Sequence, residues 1–397
     1  MNLSKEHARP DSAGRISRTI GYYVAFVALG SAMALLGPTL QGLARHTQTQ
    51  LHEISLLFTA NSLGYLLGSF QGGRLYDRLR GHPVMAAALV IMAVMLALVP
   101  LIPSLWLLAA VMLVLGLAEG TLDVGGNTLL VWVHGSKVGP FMNGLHFFWG
   151  LGAFLAPIVV ARATSVSGDI AWAYWALGLA MLPAAVWLWR LPGPAVQAPS
   201  ERASAGRVNY ALVALSAVLL FLYVGAEMGF GGWIFTYAVG LGLTDEAMAA
   251  YLTSGFWGAY TVARLLSIPI AARFSPRSIL LVDLVGCLIS IGVILLWPAS
   301  LAAVWAGVLG VGASMASIFP TVISLGERHT TMTGQVMGWF FLGASLGGMV
   351  LPWLMGQLFE PVGPRVAMLA IAVDLLLAVA AFIALVSCSA RPVVDRE

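Results

Sequence analysis

Apolar runs about 20 residues long, enough to cross the hydrocarbon core of a bilayer, recur from one end of the 397-residue chain to the other. Short segments rich in Gly, Pro and Arg separate them. The pattern predicts helices at 19–43, 54–76, 83–102, 104–132, 140–162 and 170–190. The polar stretch RLPGPAVQAPSERASAGRVN then interrupts it, and further helices follow at 209–239, 247–271, 278–297, 301–325, 334–357 and 363–388. The expected fold is all-α and integral to the membrane, with twelve transmembrane helices in two pseudo-symmetric six-helix bundles. That divides the chain into a tail (1–18), a first bundle (19–190), a linker (191–208), a second bundle (209–388) and a second tail (389–397).

Composition agrees: 59% of residues are hydrophobic and only 9% charged, against roughly 25% charged in a soluble domain. The first 18 residues lack an apolar core followed by a small-residue cleavage site, so no signal peptide is expected. The two cysteines, Cys287 and Cys388, lie in or at the end of apolar segments, which argues against a disulfide. Lys and Arg near helix ends are retained on the cytoplasmic side. With both termini cytoplasmic, sixteen of the twenty basic residues fall inside, Arg45, Arg162 and Arg365 fall outside, and Arg264 lies within a helix. The halves also match at an offset of about 194 residues, as two parallel repeats would. Gly37 then corresponds to Gly231, Gly64 to Gly258, and Leu115-Gly116 to Leu309-Gly310.

Intramembrane polar residues carry the candidate chemistry. In LAEGTLDVGGNTLL, Glu119, Asp123 and Asn127 recur every four residues and share one helix face. Ionised carboxylates near the bilayer centre are costly, and two placed one turn apart repel each other. A proton or a sodium ion relieves that cost, so Asp123 and Glu119 are candidate ion-coupling residues. One of them could instead be a structural residue bonded to a neighbouring helix. Glu227, flanked by Gly225, Gly229, Gly231 and Gly232, is the third candidate, because breaks at mid-membrane commonly line substrate sites. Arg264 and Asp283 lie at depths that agree within about 3 Å, which predicts a structural ion pair. Asp374 has no evident partner in the sequence.

Amides and aromatics suit a polyol, offering hydrogen bonds to hydroxyls and stacking against the C–H face. The candidate substrate-binding residues are Gln41, Asn61, Asn127, Asn143, His146 and Gln335, with Trp149, Trp233, Tyr237, Trp257 and Trp339. His146 reads equally as a packing residue or as one that binds a hydroxyl or relays a proton. Trp106, Trp132, Trp189 and Trp297, at or near helix ends, read as interface anchors.

GGRLYDRLRG (Gly72 to Gly81) follows the second helix. It resembles the loop signature of the major facilitator superfamily, with two residues instead of one between Arg78 and Gly81. The resemblance implies that Asp77 and Arg78 latch the halves and that Gly73 permits close helix contact. LDVGGN, MNGLHFFWGLGAFLAP and YVGAEMGFGGWIFTYAV resemble the fucose permease and sodium-dependent glucose transporter-like group. By that resemblance Asp123 replaces a protonatable Glu, and Asn127 an amide that meets the sugar. The acid that fucose permeases carry on the first helix is missing; Gln41 is there instead.

No P-loop, HExxH or Cys/His metal cluster suggests an enzyme. The expected function is secondary active transport of a small polar solute, a sugar or polyol, coupled to a proton or sodium ion by alternating access. The expected setting is the cell membrane, as a monomer, with no nucleic-acid partner and no cofactor beyond the transported ion. An exporter of drugs or lipid-like amphiphiles is the alternative, and a transport-dead receptor a further one.

Overall fold

A computed structural model describes residues 12–194, 209–328, 330 and 333–389. Most of the expected linker, residues 1–11 of the first tail and residues 390–397 of the second lie outside them. The elements are helical: α1 (Ser12–Met33), α2 (Leu36–Thr47), α3 (Leu51–Ile54), α4 (Leu56–Arg78), α5 (Gly81–Leu98), α6 (Leu105–His134), α7 (Gly139–Ser167) and α8 (Ala171–Arg190) come first. After the interruption come α9 (Tyr210–Gly240), α10 (Glu246–Ala271), α11 (Pro276–Leu296), α12 (Leu301–Met315), α13 (Ile318–Glu327), α14 (Gly334–Val362) and α15 (Arg365–Ser389).

Among the described residues, nine helical stretches are long and apolar enough to span a membrane, or ten when the bent pair α1–α2 is one span. The bend is 46° and has a local cause. Pro38 cannot donate to the carbonyl one turn back, so the helix breaks just before it. α4 and α10 have 23 and 26 residues but fall outside that apolar set. They carry Asn61, Ser62, Tyr65 and Ser69, and Thr253, Ser254, Tyr260 and Arg264, respectively. Trp106, Trp189 and Trp297 are 75%, 65% and 57% exposed, as residues facing lipid headgroups would be.

Small residues set the helix contacts that matter for the site. Gly64 and Gly68 on α4 meet Gly116 and Gly120 on α6, and a Cβ at any of the four would strike a carbonyl oxygen of the other helix. This is the small-xxx-small packing of membrane helices, and it lets the α4 and α6 backbones touch. Gly37 on α2 lies against Gly231 and Gly232 on α9. Two residues matched by the internal repeat are thus in mutual contact where the chain's two parts meet.

Polar contacts between those parts gather toward the end of the molecule opposite the start of α1. Arg45 pairs with Glu246 at 2.9 Å, and His52 with Glu360 at 3.0 Å. The Leu51 N–H donates to the second Glu360 oxygen (2.9 Å), and Gln357 donates to the His52 carbonyl (2.7 Å). Beneath them Trp233 lies between Phe58 and Phe359. At the other end Asp77, Arg78 and Arg80 are exposed, and no atom would come within 4 Å of a Cβ at Gly73. Among the described residues Asp77 and Arg78 form no ion pair, so the expected latch is not engaged in this conformation.

Candidate functional site

The close α4–α6 contact builds the first polar cluster. The two helices run in parallel, so one sequence offset pairs two successive turns. Asn61 donates to Glu119 Oε2 at 3.0 Å, and one turn on, Tyr65 donates its hydroxyl to Asp123 Oδ2. Asn127 completes the row, its amide nitrogen donating to Asp123 Oδ1 (3.0 Å) and to the Asp123 carbonyl (2.9 Å). Glu119 is 0% exposed, and its Oε1 is buried without a partner. Among the described residues neither carboxylate pairs with a Lys, Arg or His. Two acids a turn apart, held by neutral donors and lacking a counter-cation, make a place where a small cation is welcome.

A second cluster joins α9, α10 and α7. Glu227 is 5% exposed and stands one turn after Tyr223 on α9. Arg264 Nη2 donates to the Tyr260 oxygen at 2.7 Å and Nε to the Ala316 carbonyl at 3.1 Å. The Tyr260 hydroxyl also stands 3.5 Å from that of Tyr223, which links α10 to α9. Tyr223 also stands 3.1 Å from the Met315 carbonyl. Trp149 of α7 and Trp257 pack edge to face at 5.4 Å beside Tyr260.

The expected Arg264–Asp283 ion pair does not form. Asp283 instead accepts from Ser317 Oγ at 2.5 Å, while Arg264 bonds to Ala316. Equal depth was the right reading, but the two side chains approach the α12–α13 break from different sides and end on consecutive residues. The amides likewise do not converge on one cavity: Asn61 and Asn127 are turned onto the carboxylates. Trp233 is 0% exposed and donates to the Pro352 carbonyl at 3.0 Å, which makes it a packing residue of the closed end. Tyr237 is equally buried, its hydroxyl without a partner. Asn143, Gln335 and Trp339 are exposed, and Gln41 is half-buried on α2. Trp149 donates to Met33 Sδ at 3.5 Å, and His146 meets the Phe26 ring edge to face. Asp374 is 7% exposed, one oxygen buried without a partner.

Three tyrosines escaped the sequence reading. Tyr223 and Tyr260 stand one turn before Glu227 and Arg264, a spacing that brings side chains together on a helix and could have flagged both. Nothing local to Tyr65 points to Asp123.

Residues 22–352 match the model of the Major Facilitator Superfamily. The sodium-dependent glucose transporter 1A of Mus musculus is 32% identical over 374 residues, which cover 85% of this chain and 88% of that protein. Among solved structures, a variant of the nucleoside transporter NupG aligns with a TM-score of 0.77 at 13% identity, over 94% of this chain and 99% of that one. A D-xylose-proton symporter aligns with a TM-score of 0.74 at 13% identity, over 91% and 97%; at such identity these two likenesses concern the fold alone. A helical membrane chain matched by that family over most of its length belongs to the Major Facilitator Superfamily and is a multi-pass membrane transporter, not an enzyme.

Proposed function

We propose that the protein carries a small polar solute, a sugar, across the cell membrane by alternating access, and that a proton or sodium ion bound at Asp123 and Glu119 drives it. The observation that carries this reading is the Asn61–Glu119 and Tyr65–Asp123 pairing: a buried acid and a half-buried one, each with its own neutral donor and, among the described residues, no basic partner. Lining up such groups without a counter-charge costs several kcal/mol, a cost that a bound cation removes. The mouse relative's name, a sodium-dependent glucose transporter, supports both a sugar as cargo and a cation as driver.

The twelve spans form two six-helix bundles, α4 and α10 being the spans whose hydropathy is lowered by their own polar residues. The distribution of basic residues puts both termini in the cytoplasm. The end clasped by Arg45–Glu246 and His52–Glu360 is then extracellular, and the conformation is inward-open. Asp77 and Arg78 engage when the bundles rock the other way. Ion and sugar each favour the same inward-going state, so each raises the other's affinity by the same factor.

Uptake of labelled hexoses into proteoliposomes, under an inward sodium gradient and separately an inward proton gradient, tests the reading. Accumulation under one gradient establishes symport and names the ion. Absence of hexose uptake under both, with gradient-driven extrusion of a lipophilic dye, would replace the reading with the exporter.

A further inference from the structure

Glu360, near the end of α14, grips the first half of the chain with both carboxylate oxygens. Oε1 accepts the Leu51 N–H at 2.9 Å, and Oε2 stands 3.0 Å from His52 Nδ1. His52 is itself fixed from two sides, its carbonyl accepting from Gln357 Nε2 at 2.7 Å and from Ser55 Oγ at 2.8 Å. The surrounding backbone thus sets the imidazole on Glu360, while both side chains still reach water. A neutral ring donates to Glu360 only as the Nδ1–H tautomer, whereas a protonated ring adds its charge to the bond.

Imidazole is the side chain whose ordinary titration falls between about pH 5 and 8. The other charged or titratable groups around His52 are few. Glu53, on the same turn, accepts the Gln50 N–H at 2.9 Å. Arg45 and His46 lie in the last turn of α2, and Arg45 is taken by Glu246 of α10. α4, which also packs against α3, has no charged residue before Arg74. Resting on the alternating access proposed above, we propose that His52 and Glu360 form a proton-sensitive latch. The contact joins the two halves only while this end is closed, so protonation of His52 and closure favour each other. The latch is strongest with the ring charged and loses that contribution as rising pH strips the proton away. On the orientation given above this end faces outside, where acid holds the entrance shut whichever ion drives transport.

The test places spin labels at His46→Cys and Val362→Cys, two exposed positions on opposite sides of the clasp, in a chain carrying Cys287→Ala and Cys388→Ala. Replacing His46 also removes the neighbouring imidazole. Pulsed electron resonance on the full-length protein in detergent reads the ratio of separated to closed label pairs at about pH 5.5 and about pH 8. The ratio is expected to rise about two- to fivefold with pH, the range that an exposed pair supplies. His52→Asn keeps a donor where Nδ1 stands and takes no charge, so its ratio is expected to stay at the high-pH level throughout. Glu360→Gln, which leaves the ring without an anion, is expected to flatten the response as well, so if one variant does not fold, the other still decides.

A ratio that does not move with pH in the labelled parent, or that moves as much in a folded variant, overturns the proposal and leaves sugar transport standing. Absence of hexose uptake in proteoliposomes with the pH response intact overturns the sugar reading and leaves the latch.

Discussion

Tyr65 donates its hydroxyl to the Asp123 carboxylate across the α4–α6 contact. The bond stabilises the carboxylate without neutralising it, so in the proposed cycle it competes with the driving cation for the same oxygens. Tyr65→Phe keeps the ring and removes the donor. A hydrogen bond to a charged group is worth about 1.5–3 kcal/mol, so the cation concentration that half-saturates uptake is expected to fall about tenfold. Sodium and proton titrations of uptake in proteoliposomes check this; an unchanged half-saturation would separate Tyr65 from coupling.

Asp123→Asn is expected to abolish accumulation against a gradient while sugar exchange continues, because the site then holds no charge to discharge. Counterflow and net uptake, measured in one preparation, separate the two. Full accumulation by the variant would take Asp123 out of the ion site.

Asn127 is a sharper case. The sequence alone marks it as a sugar ligand whose loss spares the ion response. In the structure its amide nitrogen is spent on Asp123, so Asn127→Ala is expected to alter the ion dependence of uptake. A pure rise in the sugar half-saturation, with the ion curve unmoved, would restore the simpler view.

Gly116 faces the Asn61 carbonyl with no space for a side chain. Gly116→Val is expected to push α6 off α4 and cost about 1–3 kcal/mol or more, the usual range for overpacking. Thermal unfolding in detergent, scored against Gly73→Ala where space is open, gives the comparison. Equal midpoints for the two variants would rule out the close contact.

The clasp of Arg45–Glu246 and His52–Glu360 can be loosened without touching the site. Arg45→Gln together with Glu360→Gln is expected to shift the conformational balance several-fold, because exposed pairs contribute on the order of 0–1 kcal/mol each. Ser55, 0% exposed beneath the clasp, reports the shift as cysteine in a background lacking Cys287 and Cys388. Its labelling by a membrane-impermeant thiol reagent in detergent rises if the clasp holds that end shut.

Much of this was legible in the sequence because hydropathy reports solubility in lipid directly, and the helix limits follow from it to within a few residues. The exception is α1, which starts at Ser12 and not at 19: its first turns are polar yet helical, and Arg18 bonds to the Pro192 carbonyl. The row Glu119, Asp123, Asn127 was equally plain, since four-residue spacing fixes one face. Partners on other helices were not. Arg264 and Asp283 agree in depth, but depth says nothing of the direction each side chain points around its helix, and the α12–α13 break parts them. Trp233 looked like a sugar platform because aromatic residues serve stacking and packing alike; only its bond to Pro352 tells the two apart.

The clasp across the end opposite the start of α1 is built from solvent-facing charges. Arg45 is 61% exposed in its pair with Glu246, and His52 42% in its pair with Glu360, so water competes for every charge in it. A door held this lightly stands close to balance, like a see-saw with arms of nearly equal weight. In the proposed transport cycle the ion and solute gradients together then decide which way it tips, and not a spring within the protein.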